Sequence, residues 1–317
     1  MVKGKIMRKK INDILGIEFP IIQGGMANIA TGQFAAAVSN AGGLGLIGAG
    51  GMDSNTLQEH IKVCKSLTEK PFGVNIMLMN PEADKMAEIV AKEGVPVVTT
   101  GAGNPGKYMK LWNQENIKVF PVVSSVALAK RLAGSGATGL IAEGTESGGH
   151  VGEITTMALI PQVVDAVDIP IIAAGGIACG RQLLAAMTLG ACGIQVGTCL
   201  LASEECPIHD NYKQAIIKSK DNDTTVTGRI AGTPVRILKN PMAREYIKLE
   251  KQGADKMELE LFALGSMRKA VLDGDIKNGS LMAGQVSAMV KEIKPVREIF
   301  LSIMEEYETA RKELLVD

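Results

Sequence analysis

Eight short apolar runs, at 20–23, 44–48, 73–77, 95–99, 118–123, 139–143, 170–174 and 193–197, recur every 20 to 30 residues and constrain the fold more than any other feature. They are continuous rather than alternating, which marks strands buried on both faces, as a parallel sheet requires. Helix signals fill the gaps: Asp53-Ser54 ahead of Leu57, Ile61 and Cys64, Pro81-Glu82 ahead of 86–90, and Ser125 ahead of 127–132. Eight β-α units packed between residue 20 and about 205 average roughly 23 residues each, short for a doubly wound sheet but natural for a closed barrel. The expected fold class is α/β, a (β/α)8 TIM barrel over residues 1–204.

The rhythm stops after Leu201. Residues 205–280 are more polar, contain Pro207, Pro234 and Pro241, and show helical patches without another buried strand run. A barrel takes about 250 residues, so this segment corresponds to the surplus. It leaves from the C-terminal end of the last strand, where barrel active sites lie, and is expected to form a small cap that binds substrate and nicotinamide. Residues 281–317 are expected to return to the barrel, through 282–290 and an amphipathic helix over 296–315 beyond Pro295.

Composition narrows the function. Lysines and arginines number 34 against 34 acidic residues, so the broad cationic field that nucleic acids attract is missing. Apolar residues make up 46% of the chain and aromatics only 3%, with 36 glycines, which suits an aliphatic core and glycine-dependent turns. No apolar stretch reaches the roughly 18 residues of a membrane span, and the basic start at 1–10 leads into Ile11-Asn12-Asp13 instead of a signal-peptide core. A cytoplasmic protein with no membrane partner is expected. Cys64, Cys179, Cys192, Cys199 and Cys206 form no CxxC and read as reduced thiols.

Two strings fit G-x-G-x-x-G, beginning at Gly43 and Gly101. The first lies inside a strand run, and the second has Val122, Val123 and Ser124 where a ribose-binding carboxylate belongs, so neither reads as a dinucleotide fingerprint. The stronger signal is a pair of glycine-bearing strand ends, Ala173-Ala174-Gly175-Gly176-Ile177 and Gln195-Val196-Gly197-Thr198. Barrels bind phosphate between the loops after strands 7 and 8, where backbone N–H groups converge. Gln23-Gly24-Gly25-Met26 and Asn75 place amides on the same rim, a mixture that suits a flat heteroaromatic ligand.

The run 142–152 sets Glu143, Glu146 and His150 in a glycine-rich rim loop. Histidine titrates near neutrality and can give a proton to a reacting group, so His150 is the candidate catalytic residue and Glu146 a candidate to orient it. Cys206-Pro207-Ile208-His209 lacks a second pair to complete a zinc site. Cys199 has no evident activating base, and His60 and His209 read as exposed helix or loop residues.

These motifs resemble the superfamily of FMN-dependent nitronate monooxygenases and flavin-type enoyl-[acyl-carrier-protein] reductases. Pro20–Met26, Ala41–Gly45, Phe72–Asn75, the 143–152 loop, Ala173–Ile177, Gln195–Thr198 and Met282–Gln285 carry the likeness across nearly the whole chain. Within it, 74–78, 98–105, 141–144 and 280–285 are similar to the reductases of bacterial type II fatty-acid synthesis, and monooxygenases typically carry Gln where Glu143 stands.

The resemblance implies FMN as cofactor, with NADH or NADPH as electron donor. It implies flavin contacts at Gly24, Gly25, Met26, Asn75, Glu143 and Gly148, with the phosphate held by Gly175, Gly176, Gln195, Gly197 and Thr198, and with Ala174 and Val196 among the cofactor-binding residues. Met282, Gly284 and Gln285 would lie beside the ring, and a monovalent cation would sit on backbone carbonyls that the sequence cannot place. His150 matches the catalytic histidine. The implied substrate is a trans-2-enoyl thioester on acyl-carrier protein, in a homodimeric enzyme; nitronate oxidation is the alternative activity. A non-catalytic flavin-binding barrel and a barrel with Cys199 as nucleophile are the remaining readings. Between Arg229 and Lys251 six cations (Arg229, Arg236, Lys239, Arg244, Lys248, Lys251) face Glu245 and Glu250, a net +4, which is expected to attract an acidic carrier protein.

Overall fold

All eight runs form strands. In chain order they are β1 (Ile21–Gln23), β2 (Gly45–Gly48), β3 (Phe72–Met77), β4 (Val97–Gly101), β5 (Lys118–Val123), β6 (Leu140–Glu143), β8 (Ile171–Ala174) and β9 (Gly193–Val196), with β7 (Gly149–His150) lying outside the barrel. The computed structural model describes residues 11–315, so the signal-peptide reading of 1–10 falls outside the described residues. β4 starts two residues later than expected because the Val95 amide is taken by Val90 O, closing the preceding helix, and Pro96 has no N–H to offer a ladder.

The strands are parallel in the order β1-β9-β8-β6-β5-β4-β3-β2. The ring closes between β2 and β1 through the bridge Ile22–Leu44 and the bond from Gln23 N to Leu44 O at 2.9 Å. Beyond it the Gln23 side chain continues the ladder, its Nε2 donating to Leu46 O (3.2 Å) and its Oε1 accepting from Leu46 N (3.3 Å). This corrects the expectation that Gln23 offers its amide to a ligand at the rim: the group is fully buried and consumed by barrel closure.

Alternation along the strands divides the barrel interior into layers. The lower layer is apolar, built from Ile22, Leu46, Val97, Phe120, Ile141 and Ile172, with Ile11 and Leu15 of the first helix in the same cluster. Two residues further along their strands, Thr99, Glu143 and Ala174 occupy the next inward positions, joined by Asn75 from β3 and Gln195 from β9. The floor is therefore dry and the rim polar.

The cap departs from expectation. It contains β10 (Thr224–Thr227) and β11 (Val235–Leu238), which pair antiparallel, and β11 pairs in turn with β7, Val235 opposite His150 and Arg236 opposite Gly149. Ile237 bridges Met282, and Leu238 N donates to Leu281 O at 2.8 Å. Helices Pro241–Lys251 and Lys256–Ala263 close a small core of Ile237, Met242, Ala243, Tyr246 and Leu259. Asn240 caps the first helix and an Asp255/Glu258 capping box starts the second.

The C-terminal helix, Val296–Glu313, returns to the barrel as expected and lies on helix Gly180–Thr188. The approach depends on a missing side chain: a Cβ on Gly180 would sit 2.2 Å from Tyr307 N and 2.3 Å from Ile303 O. Glu306 fastens the contact, accepting from Gly180 N and Arg181 Nε at 2.7 Å each. Gly180→Ala should therefore cost about 1–3 kcal/mol in urea unfolding, whereas Gly101→Ala, with no atom near its Cβ position, should stay within about 0.5 kcal/mol of wild type.

Candidate active site

At the rim, Asn75 and Thr99 form a unit. The Thr99 hydroxyl donates to Asn75 Oδ1 at 2.9 Å, which fixes the carboxamide with its NH2 free. A Cβ on Gly25 would come within 2.3 Å of the Asn75 side chain, so Asn75 lies directly against that glycine. Thr99 is a site residue that sequence reasoning missed. Gln195, almost fully buried, makes no side-chain hydrogen bond among the described residues. The buried Ser147 hydroxyl stands beside the Glu143 carboxyl without a hydrogen bond of full geometry to it. Desolvation pushes the Glu143 carboxyl up to about 7, opposed by the Ser147 hydroxyl. At neutral pH a large share of Glu143 is thus protonated and able to donate.

The ends of β8 and β9 meet the description of an anion site. Gly175 and Gly176 sit at φ +89 and +70, and a Cβ on Gly175 would press 2.6 Å from Gly144 O. Among the described residues the amides of Gly175, Gly176, Ile177 and Thr198 donate to no protein acceptor. The adjoining carbonyls are spent: Ala174 O accepts from Gly144 N, Val196 O from Gly24 N and Gly175 O from the Thr156 hydroxyl, at 2.8 to 2.9 Å. Thr198 Oγ1 accepts from Gly284 N at 2.9 Å and keeps its own proton to give. Met26 Sδ lies 3.6 Å from where a Gly197 Cβ would be.

The 144–150 loop and the 281–285 segment interlock. A Cβ on Gly148 would collide with the backbone at Ala283 (2.6 Å), and one on Gly284 with Glu146 O (2.7 Å). Gln285 N donates to Glu146 O at 2.9 Å, and the buried Tyr212 hydroxyl holds Met282 O at 2.8 Å. The residues expected beside the ligand from opposite ends of the sequence, Gly148, Met282, Gly284 and Gln285, are thus neighbours, with Gln285 exposed. His150 follows on β7. Its side chain reaches solvent, yet the surrounding protein desolvates it enough to hold its pKa below the usual histidine value, so it is neutral at pH 7.

Several expectations are corrected. Glu146 does not orient His150: both its oxygens accept from Thr156 N (3.0 and 2.9 Å), which anchors the loop to the following helix. Cys199 is buried, and desolvation drives its thiol up to about 12, so no thiolate nucleophile forms. His60 is half-buried and accepts from Gly32 N at 3.0 Å, so it is not the exposed residue expected, whereas His209 is exposed as expected and accepts from Asn211 N at the start of a helix. No group of His, Cys, Asp and Glu among the described residues could hold a metal ion. In the basic stretch, Arg236 and Glu250 are buried, Arg229 pairs with Glu153, and Lys248 pairs with Glu245. Lys239, Arg244 and Lys251 remain exposed there.

The nitronate monooxygenase family model matches residues 8–93 and 82–306. The chain belongs to that family. FabK from Thermotoga maritima superimposes with a TM-score of 0.94 and 46% identity over 98% of this chain and 99% of its own. A probable nitronate monooxygenase from Staphylococcus saprophyticus is 31% identical, over 90% of this chain and 93% of its own length. A Rhodococcus jostii (3aS,4S,5R,7aS)-5-hydroxy-7a-methyl-1-oxo-octahydro-1H-indene-4-carboxyl-CoA dehydrogenase is 35% identical over 73% of this chain and 66% of its own length. The family thus spans several oxidoreductase names on one barrel, and the site must discriminate among them. No helix among the described residues is long and apolar enough to cross a membrane.

Glu143 gives this family member a pH signature. Its folded pKa of about 7 lies above the ordinary glutamate value of 4.5, so ionisation destabilises the fold progressively as pH rises from about 4.5 to 7. Glu143→Gln should then be about 2–3 kcal/mol more stable than wild type at pH 8 when both are free of ligand, the difference vanishing near pH 4.5. Thermal unfolding of the ligand-free proteins across that range measures it; a pH-independent difference would mean the carboxyl is not desolvated.

Proposed function

We propose that the protein is an FMN-dependent enoyl-[acyl-carrier-protein] reductase that uses NADH or NADPH to saturate a trans-2-enoyl thioester in type II fatty-acid synthesis. The observation that carries this reading is the 46% identity with Thermotoga maritima FabK over nearly the full chain, against 31 to 35% with the relatives named for other reactions. The reductase-like motifs, Glu143 among them, support it.

The rim fits FMN on its own chemistry. The unpartnered amides of Gly175, Gly176, Ile177 and Thr198 suit a phosphate. The Asn75 NH2, the free Gln195 carboxamide and a protonated Glu143 suit a ring that alternates nitrogens with carbonyls. Gly24, Gly25, Gly148 and Gly284 leave the space that a flat ring needs, with Met26 and Met282 as its apolar neighbours. FMN held by these residues would supply the hydride chemistry that links the nicotinamide to the β-carbon of the enoyl thioester.

The rest is done by the chain. His150 donates a hydrogen bond from its N–H to the thioester oxygen as negative charge grows there, and the α-carbon takes its proton from solvent, which the exposure of this side of the site admits. Protein packed around the imidazole keeps it neutral at pH 7. Acyl-carrier protein, an acidic partner, would meet the exposed Lys239, Arg244 and Lys251 of the cap.

The family's own description and the Staphylococcus relative favour a second reading, nitronate oxidation with O2. Anaerobic reduction by NADH or NADPH, followed by addition of crotonyl thioester or of air, separates the two. Rapid re-oxidation by the thioester supports the reductase; re-oxidation by air alone, with turnover of an alkyl nitronate, supports the other. His150→Ala should lower enoyl turnover about 10²–10⁴-fold.

A further inference from the structure

We infer that Arg236, on β11, is the positioning residue for His150, fixing the loop that carries the histidine from the cap side. The inference rests on the site proposed above. The side chain is only 6% exposed, and among the described residues it forms no salt bridge with a carboxylate. Its Nε and Nη2 fork onto the carbonyl of Thr145 at 3.2 and 3.1 Å, and Nη1 donates to the Thr224 hydroxyl at 3.2 Å. Its backbone pairs with Gly149. One residue thus grips the 145–149 loop at both ends, immediately before His150.

The loop needs such a clamp. Between its ends stand Ser147, Gly148 and Gly149, the last at φ +80. Two adjacent glycines leave the backbone entropically free, and Glu146, held by Thr156 on the barrel side and by Gln285 N on the other, restrains the loop only ahead of them. Burying a guanidinium without a carboxylate is costly, and burial and the charge of Arg229 both lower its pKa, with Glu146 opposing. Packing alone would be served by an apolar chain. What a planar fork adds is direction: two parallel N–H groups fix where the Thr145 carbonyl stands. The geometry also couples cap and histidine, because any displacement of β11 carries Gly149 and Thr145 with it.

The test reads His150 itself, so it stands whether or not the proposed reaction is right. The chain has three histidines, assignable by single replacement, and imidazole NMR titration follows each one. In R236M the His150 titration should rise toward the ordinary histidine value as the loop loosens and solvent reaches the ring, while the signals of the other two histidines do not move. R236K, which keeps one donor and loses the fork, should fall between. If R236M does not unfold cooperatively, R236K carries the test. In enoyl turnover R236M should lower kcat at least tenfold with little change in KM, and adding it to His150→Ala should cost nothing further. A His150 titration identical to wild type in a folded Arg236 variant overturns the inference. A changed titration with unchanged turnover would instead leave Arg236 as the clamp and refute His150 as the catalytic group.

Discussion

Strand β11 is the element on which the site depends. Along four residues it pairs with the β10 hairpin partner on one side and, on the other, first with Gly149–His150 and then with Leu281–Met282. Without it the loop after β6 and the segment that precedes the C-terminal helix would be two separate excursions from the barrel. With it they become one wall, locked further by the mutual exclusion of side chains at Gly148 and Gly284 and by the bond from Gly284 N to Thr198. The cap is therefore a structural part of the rim, and the histidine belongs to both.

Beneath that wall the barrel uses one alternation for two purposes. Ile141 and Ile172 fill the dry lower layer, and the next inward positions, Glu143 and Ala174, face the rim. Burial that stabilises the floor also desolvates what stands above it, which is why the Glu143 carboxyl stays protonated to about pH 7. A carboxyl in that state presents a donor, as the glutamine typical of the monooxygenases does, and changes to an acceptor on losing its proton. The site thus retains a variable that an amide at this position would lack.

Much of this was legible in the chain. Continuous aliphatic runs located all eight barrel strands because a parallel sheet buried on both faces needs them, and the glycines at 148, 175 and 284 stood where backbone must approach closely. The cap strands were not legible. β10 reads Thr-Thr-Val-Thr, β11 carries a cation in its middle, and its partner at 149–150 is some 86 residues away, so neither periodicity nor local pattern announces the pairing. Arg236 looked like surface charge because sequence does not reveal burial. Glu146 looked like an orienting carboxylate because its spacing from His150 says nothing of Thr156, and Thr99 gave no signal of its hold on Asn75.

If the polar rim over the dry floor is a flavin site, with the phosphate on the free amides after β8 and β9, the visible spectrum of the purified protein shows it, with the cofactor released by denaturation and identified. The expected result is a yellow protein carrying FMN in stoichiometric amount, and a Gly176→Val variant, placing a branched side chain against Glu146 at φ +70, that folds but comes out largely colourless. A colourless wild-type protein that takes up no FMN when the cofactor is added would contradict it.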